Sequence, residues 1–93
     1  SYTILEVPNA FSPNGDGFND DIYILTHDIA ELLEYSIFNR YGELVFTTTN
    51  IATGWNGTVE GKEAEMGTYI YLVRAYDFGG NFVQRQGNIV LVR

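Results

Sequence analysis

The sequence contains no cysteine, which excludes disulfide bonds, thiolate nucleophiles and zinc–thiolate sites. Basic residues are scarce as well, because 5 Lys and Arg stand against 12 Asp and Glu and the net charge is −7. Binding to nucleic acid through its phosphates needs a basic face, and docking on anionic lipid needs a basic cluster. Basic residues this few and this scattered supply neither, so the composition argues against nucleic acid and membrane surfaces as partners.

Long apolar runs are also missing from the sequence. No stretch approaches the ~20 residues of a transmembrane helix, and the first residues lack the basic and apolar regions of a signal peptide. A chain of 93 residues is long enough for one domain with a single thin core. We therefore expect residues 1–93 to be one domain, which is either cytosolic or a piece of a longer protein.

Short apolar runs separated by turn signals predict an all-β fold of the kind found in β-sandwiches. The runs cover residues 2–7, 22–25, 33–38, 44–48, 68–76 and 82–92, with a further short strand near 58–59. Residues 39–42 join two of these runs and predict a β-hairpin. Gly87 interrupts the last run and suggests a β-bulge. Residues 28–33, in which Asp28 and Glu31 resemble a capping box, are the one candidate helix.

Alternation along residues 68–76 separates two faces of the predicted strand, and Arg74 lies on one of them. Because burying Arg74 would be costly, we expect the opposite face to pack in the core. The predicted core residues are Tyr69, Tyr71, Val73, Ala75, Ile89 and Leu91, with Ile37 and Val45 as their partners.

Groups suited to catalysis are few. Nucleophilic catalysis needs an activated side chain beside a base, and the only histidine, His27, falls in a predicted turn. Acid–base catalysis by carboxylates needs a cleft that separates their pKa values, which a domain of this size rarely supplies. We therefore predict no catalytic residues and no enzyme activity. The only tryptophan, Trp55, is expected to pack in the core and not to bind a ligand.

Residues 13–21, with the sequence PNGDGFNDD, form the most informative segment. Alternating carboxylates and amides with intervening glycines suit a calcium loop, because calcium takes roughly six to eight oxygen ligands. In this interpretation calcium is the one cofactor and its ligands are Asn14, Asp16 and Asp20. A complete EF-hand-type loop, however, has carboxylates where Ser12 and Tyr23 stand here. The alternative is a turn in which Asx side chains cap their own backbone.

Four blocks of sequence occur in series. The first is VPNAFSPNGDGFND (7–20) and the second is IFNRYGELVF (37–46). The third contains WNG, GK and GTYIY (within 55–71), and the fourth is GNIVLVR (87–93). They resemble the blocks PNAFSPNGDGxND, IFNRWGxxVF, WDG…GK…GTYxY and GxIxLxR of the gliding-motility-associated C-terminal domain. That domain is the type B sorting domain of the type IX secretion system in Bacteroidota. The order of the blocks is the family's own, and two departures stand out: Tyr41 replaces a Trp and Asn56 replaces an Asp.

The resemblance implies a non-catalytic C-terminal signal that directs a longer parent protein through the type IX secretion system. Export would pass through the periplasm and the outer membrane to the cell surface or medium. The fold that the resemblance implies is an immunoglobulin-like antiparallel β-sandwich of about seven strands. The implied partners are the outer-membrane translocon or its shuttle proteins, and we expect the isolated domain to be a monomer.

A signal that works on many cargoes should be recognised through one folded surface. The candidate recognition residues are Arg40 and Tyr41, at a predicted hairpin tip, and Arg93, whose guanidinium can pair bidentately with a partner carboxylate. The alternative for Arg40 is an internal salt bridge to a loop carboxylate, and for Arg93 a solvated chain end.

Two other functions compete with the sorting signal. One is an immunoglobulin-like surface-binding module for glycans or proteins, stabilised by calcium, in which exposed Tyr and Trp side chains form the platform. The other is a passive spacer domain. Export of a fused reporter separates the sorting signal from the other two functions, since only a sorting signal would carry the reporter out of the cell. Binding to a glycan array without export would favour the surface-binding module, and a spacer would do neither.

Overall fold

The computed structural model of the protein describes residues 2–15 and 20–93. These residues form nine β-strands: Ile4–Glu6 (β1), Ala10–Phe11 (β2), Leu25–His27 (β3), Ile29–Phe38 (β4), Leu44–Thr48 (β5), Thr58–Val59 (β6), Lys62–Glu63 (β7), Gly67–Asp77 (β8) and Phe82–Leu91 (β9). No helix able to cross a membrane occurs in this part of the chain. The predicted all-β fold is confirmed, and the strand count exceeds seven because β2 and β7, of 2 residues each, add to the seven predicted strands.

The largest sheet has five strands in the order β2-β9-β8-β4-β5. Its four longer strands pair antiparallel, whereas β2 runs parallel to β9, so the sheet is mixed and not wholly antiparallel as expected. The reason lies at the end of β9, where Val90 and Val92 donate their N–H groups to the carbonyls of Asn9 and Phe11 at 2.8 and 3.0 Å. These bonds cover backbone groups that an edge strand leaves open to solvent.

A second layer covers one face of this sheet and makes the molecule a β-sandwich. It consists of the antiparallel pair β1 and β3 together with an isolated bridge between Ile22 and Trp55. The core between the layers contains Leu5, Phe11, Ile22, Ile24, Leu32, Tyr35, Ile37, Trp55, Tyr69, Val73, Ala75, Ile89 and Leu91. The predicted facing of the strands is confirmed, since Tyr71 and Val45 also pack against this core.

The predicted helix over residues 28–33 is wrong. The segment that follows Asp28 belongs to β4, and Asp28 itself has a φ of 62°, whereas a helix N-cap has extended dihedrals. The carboxylate of Asp28 accepts a hydrogen bond from the Thr3 hydroxyl at 3.1 Å and caps no helix. Glu31 pairs with Tyr76 of β8. Pairing between strands therefore overrides the local capping signal.

The predicted β-bulge at Gly87 is wrong as well, because the register between β8 and β9 continues through this position without a shift. Gly87 pairs directly with Tyr71, and a Cβ at Gly87 would lie 2.8 Å from the ring of Tyr71. The glycine is needed because an aromatic ring of the neighbouring strand lies against its backbone, which is a second common reason for glycine inside a strand.

The outer face of the five-stranded sheet carries a hydrogen-bonded network across three strands. Arg74 donates from Nε to Glu34 Oε1 at 2.8 Å, and its Nη2 lies 2.7 Å from the same oxygen. The other oxygen of Glu34 accepts from the Ser36 hydroxyl at 2.6 Å, and Ser36 Oγ lies 2.9 Å from Thr47 Oγ1. The hydrogen bond from Ser36, assisted by Arg74, holds the pKa of Glu34 below its usual 4.5 although burial opposes the shift.

The lowered pKa of Glu34 predicts a loss of stability in acid. A carboxylate whose pKa is lower in the folded state stabilises fully above the unfolded-state pKa, and this stabilisation disappears as the pH falls through the folded-state value. We expect the melting temperature of the wild type to decrease once the pH is below about 4.5. Glu34→Gln should have a lower melting temperature at neutral pH and should lose less of it in acid. The control is Glu31→Gln, an exposed glutamate of the same strand. Equal pH profiles for the two variants would contradict the assignment.

Candidate functional site

A groove opens where three parts of the chain meet at one end of the sheet. Its walls come from the turn after β4, the start of β5, and the segment from β7 to the beginning of β8. It has a volume of about 420 Å³, within the range of small ligand sites. Large apolar side chains stand exposed around it: Tyr41 (72% exposed), Met66 (62%) and Leu44 (54%). The groove therefore has the apolar lining that a binding site needs.

The turn between β4 and β5 presents the predicted residues Arg40 and Tyr41. Asn39 fixes this turn, because its Oδ1 accepts hydrogen bonds from the N–H groups of Tyr41 at 2.9 Å and Glu43 at 3.0 Å. Gly42 has a φ of 83°, which a residue without Cβ adopts at no steric cost. The predicted hairpin is confirmed. Its tip directs Arg40 and Tyr41 outward on a backbone held by several hydrogen bonds.

Arg40 and Tyr41 interact with each other at the tip. The guanidinium carbon lies 5.1 Å from the centre of the Tyr41 ring, and Nη2 donates to the Tyr41 hydroxyl at 3.0 Å. This hydrogen bond raises the pKa of Arg40 above its ordinary value, so the side chain is always charged. The internal salt bridge considered as an alternative is present only as a long contact of 4.0 Å to Glu65. Both groups of that pair are exposed, and such pairs contribute little.

Arg93 lies beside the groove, and its side chain points into the domain. Only 19% of the side chain is exposed, so it is not a solvated chain end. Nη2 donates to the carbonyls of Gly57 at 2.9 Å and Ala64 at 3.1 Å. Nη1 donates to Glu63 Oε2 at 3.1 Å and to the Pro13 carbonyl at 3.5 Å. The guanidinium thus joins three separate segments, one of which lines the groove, and its role in recognition stays a prediction.

Trp55 forms the packed base behind this end of the domain, as predicted. It is 1% exposed, and its indole N–H donates to the Thr58 carbonyl at 2.9 Å. Its ring lies edge-on to Tyr69 with 5.0 Å between centroids. Tyr69 lines the groove and donates its hydroxyl to the Glu65 carbonyl at 2.6 Å. Burial raises the pKa of Tyr69, so this hydroxyl remains a donor and holds the groove wall to the core.

The predicted calcium loop is described only in part. Asp20 Oδ1 accepts hydrogen bonds from the N–H groups of Asn14 at 3.1 Å and Gly15 at 2.9 Å, so two of the three predicted ligands share one turn. Asp16 lies outside the described residues. Residues 2–15 and 20–93 contain no cluster of three His, Asp or Glu side chains able to hold a metal. Asp20 thus caps backbone N–H groups of its own loop, as in the alternative interpretation, and calcium binding stays a prediction.

Residues 5–91 match the family model of the CHU_C type IX secretion signal domain. The chain belongs to this family. The match includes the groove, the Arg40–Tyr41 tip and the Trp55 base, and the resemblance drawn from the four sequence blocks is confirmed. Among curated proteins no match to the chain was found.

The family match shows what kind of function the domain has. A type IX secretion signal is a sorting signal and not a catalyst, and it marks a protein for export to the cell surface or medium. Such a signal works by being bound by the secretion machinery. An exposed groove beside a fixed hairpin tip is a feature that another protein can bind, and nothing about it requires a reaction.

Sequence reasoning found the tip residues and missed the groove beside them. The sequence places Leu44 in a predicted strand and Met66 between two predicted strands. The signal that could have found them is weak: each is a large apolar residue within two positions of a glycine with positive φ, Gly42 or Gly67. Their exposure depends on how the hairpin turn and the segment before β8 lie together in the folded domain, which no local pattern encodes.

Proposed function

We propose that the secretion signal domain is recognised as a folded surface by proteins of the outer-membrane translocon or by their shuttle components. In this proposal the cargo reaches the periplasm first, and the domain then directs it across the outer membrane. The recognition surface consists of Arg40, Tyr41 and Arg93 together with the groove between them. The observation that carries the proposal is the Arg40–Tyr41 pair, exposed on a hydrogen-bonded turn at the rim of an apolar groove.

A folded surface suits this task better than a linear peptide. The groove joins residues 39–45 to residues 63–69, and Arg93 approaches it from the last strand. These segments are far apart in sequence, so the surface exists only when the domain is folded. We propose accordingly that residues 1–93 act as one domain of a longer exported protein, and that the isolated domain is a monomer.

Arginine and tyrosine are well suited to the centre of such an interface. Both are enriched among the residues that dominate binding energy, because each combines a large flat surface with a hydrogen-bonding group. At this tip the two side chains already contact each other, so little rotamer freedom remains to be lost when a partner binds. The hydrogen-bonded turn likewise leaves the backbone little freedom to lose on binding.

The proposal predicts that Arg40→Ala/Tyr41→Ala reduces export of a fused reporter by about tenfold or more, as expected when interface hot spots are removed. The melting temperature should change by less than about 4 °C, because both side chains lie on the surface. Secreted and retained reporter would be measured in a host that has a type IX secretion system. Phe78→Ala is the matched control, since Phe78 is 75% exposed on the β8–β9 turn at the opposite end of β8. Normal export of the double variant would refute the proposed surface.

A further inference from the structure

The groove beside the hairpin tip combines an apolar floor with an acidic rim, and this combination specifies its occupant. We infer that the groove binds an extended segment of the partner in which an apolar side chain stands next to lysine or arginine. This inference rests on the proposed function and adds the chemistry of the partner. It follows from three features of the groove: its exposed apolar side chains, its charge and its position at a strand edge.

The apolar part of the groove is larger than ordinary surface composition explains. Single exposed apolar residues are common on soluble proteins and have no special meaning. Here Tyr41, Leu44 and Met66 are each more than half exposed and line the same groove. Aromatic residues and methionine are enriched in protein interfaces, and methionine adapts its shape to different partners. The groove therefore offers a site for an apolar anchor.

The charges around the anchor site are mostly negative. Of the side chains that line the groove, Glu43, Glu63 and Glu65 are acidic and Arg40 alone is basic. Arg93 beside the groove pairs with Glu63, so one negative charge remains in excess. The guanidinium of Arg40 is already in contact with Tyr41 and near Glu65. The chain as a whole carries a charge of −7, so its field also favours a basic partner. Charge complementarity thus places Lys or Arg beside the anchor.

The position of the groove favours an extended segment over a helix. β5 starts in the groove with Leu44 and Val45 and is the last strand of the five-stranded sheet among the described strands. Its residues 44–48 include no charge and no proline, the usual means of blocking an edge. A peptide that seats its anchor in the groove would continue along this edge, where main-chain hydrogen bonds add affinity.

Binding can be tested on the isotope-labelled domain with a synthetic peptide in which leucine alternates with lysine. We expect saturable chemical-shift changes at Tyr41, Leu44 and Met66, and affinity at least about tenfold weaker in Leu44→Ser/Met66→Ser but not in Phe78→Ser. Peptides with Glu in place of Lys, or Ser in place of Leu, should not bind. Shifts that spread over the acidic surface without saturation, or that are the same in both variants, would overturn the inference.

Export provides a second test that separates this inference from the proposed function. Glu43→Lys/Glu65→Lys reverses two charges at the groove, and Glu6→Lys/Glu31→Lys makes the same change on exposed residues of β1 and β4. We expect only the first pair to reduce reporter export, by about tenfold. If neither pair reduces export while Arg40→Ala/Tyr41→Ala does, the surface is right and the basic occupant is wrong. If none of the three reduces export, recognition occurs elsewhere and both proposals fail.

Discussion

Trp55→Ala is expected to leave the secretion signal domain largely unfolded at temperatures at which the wild type is fully folded. Trp55 is the largest of the fully buried side chains, with its ring 5.6 Å from that of Phe11 and 5.0 Å from that of Tyr69. Removing a buried tryptophan side chain costs about 3–5 kcal/mol. A domain of this size has a total stability of only about 5–15 kcal/mol, so the loss takes a large share of it.

Trp55→Ala also loses stability in a second way, besides creating a cavity. Its indole N–H donates to the Thr58 carbonyl, and its own backbone pairs with Ile22 through hydrogen bonds of 2.8 and 3.2 Å. The backbone of Trp55 thus belongs to the second layer of the sandwich, and its side chain contacts β6 and Tyr69. Once it is removed, the groove wall that Tyr69 supports loses its packing too. We therefore expect export of a fused reporter to fail together with folding.

Thermal unfolding followed by circular dichroism would measure the effect. The expected decrease in melting temperature is at least about 12 °C, from about 4 °C per kcal/mol for a domain of this size. Trp55→Phe, which keeps a smaller aromatic ring and loses the N–H donor, should fall in between. Tyr41→Ala, which removes an exposed aromatic ring, should leave the melting temperature nearly unchanged. A Trp55→Ala domain as stable as Tyr41→Ala would show that this contact does not hold the core together.

Period-two alternation predicted the fold well because burial is decided residue by residue along a strand. Arg74 alone sufficed to orient β8, and the side chains on the opposite face are indeed in the core. The same reasoning failed wherever a distant strand decided the local structure. Asp28 and Glu31 carry a genuine capping pattern, but pairing of β4 with β8 prevails over it. The sequence predicts a bulge at Gly87, but the glycine is needed there because the ring of Tyr71, sixteen positions earlier in the chain, lies against it.

The candidate site was predictable to the extent that it lies in one turn. The Asn39–Gly42 sequence predicts a hairpin whose tip exposes Arg40 and Tyr41, and the structure has that hairpin. The direction of Arg93 was not predictable, because its hydrogen-bond acceptors belong to three loops that come together only in the folded domain. Most of those acceptors are backbone carbonyls, whose positions a sequence does not reveal.

Arg93→Ala is expected to loosen the loops around the groove and to reduce export even where the domain still folds. The guanidinium contacts residue 13, residue 57 and residues 63–64 with two of its nitrogens. Next to these contacts, the N–H of Ala64 donates to the Gly57 carbonyl at 2.8 Å. Hydrogen bonds from a charged group contribute roughly 1.5–3 kcal/mol, so the loss should be measurable as reduced stability. Glu63 and Ala64 line the groove, which ties the shape of that wall to Arg93.

Arg93→Lys separates a role in holding the loops from a role in contacting the partner. Lysine keeps the charge but has a single ammonium group, which cannot replace a planar fork that serves several acceptors at once. If Arg93 holds the loops, the lysine variant should show the faster amide exchange at Ala64 and the weaker export of Arg93→Ala. If Arg93 acts only through its charge on a partner carboxylate, lysine should restore most of the export and leave the exchange unchanged.

Arg85 supplies the matched control for these measurements. It is an exposed arginine of β9 whose guanidinium donates only to the neighbouring Gln84 carbonyl at 2.9 Å among the contacts described. Arg85→Ala therefore removes the same charge without releasing a loop. We expect wild-type export and wild-type exchange at Ala64 in Arg85→Ala. An Arg93→Ala domain that matches this control in stability, in exchange and in export would mean that the groove keeps its shape without the guanidinium. In that case the hydrogen bonds within the β6–β7 hairpin, and not Arg93, would have to fix this wall of the groove.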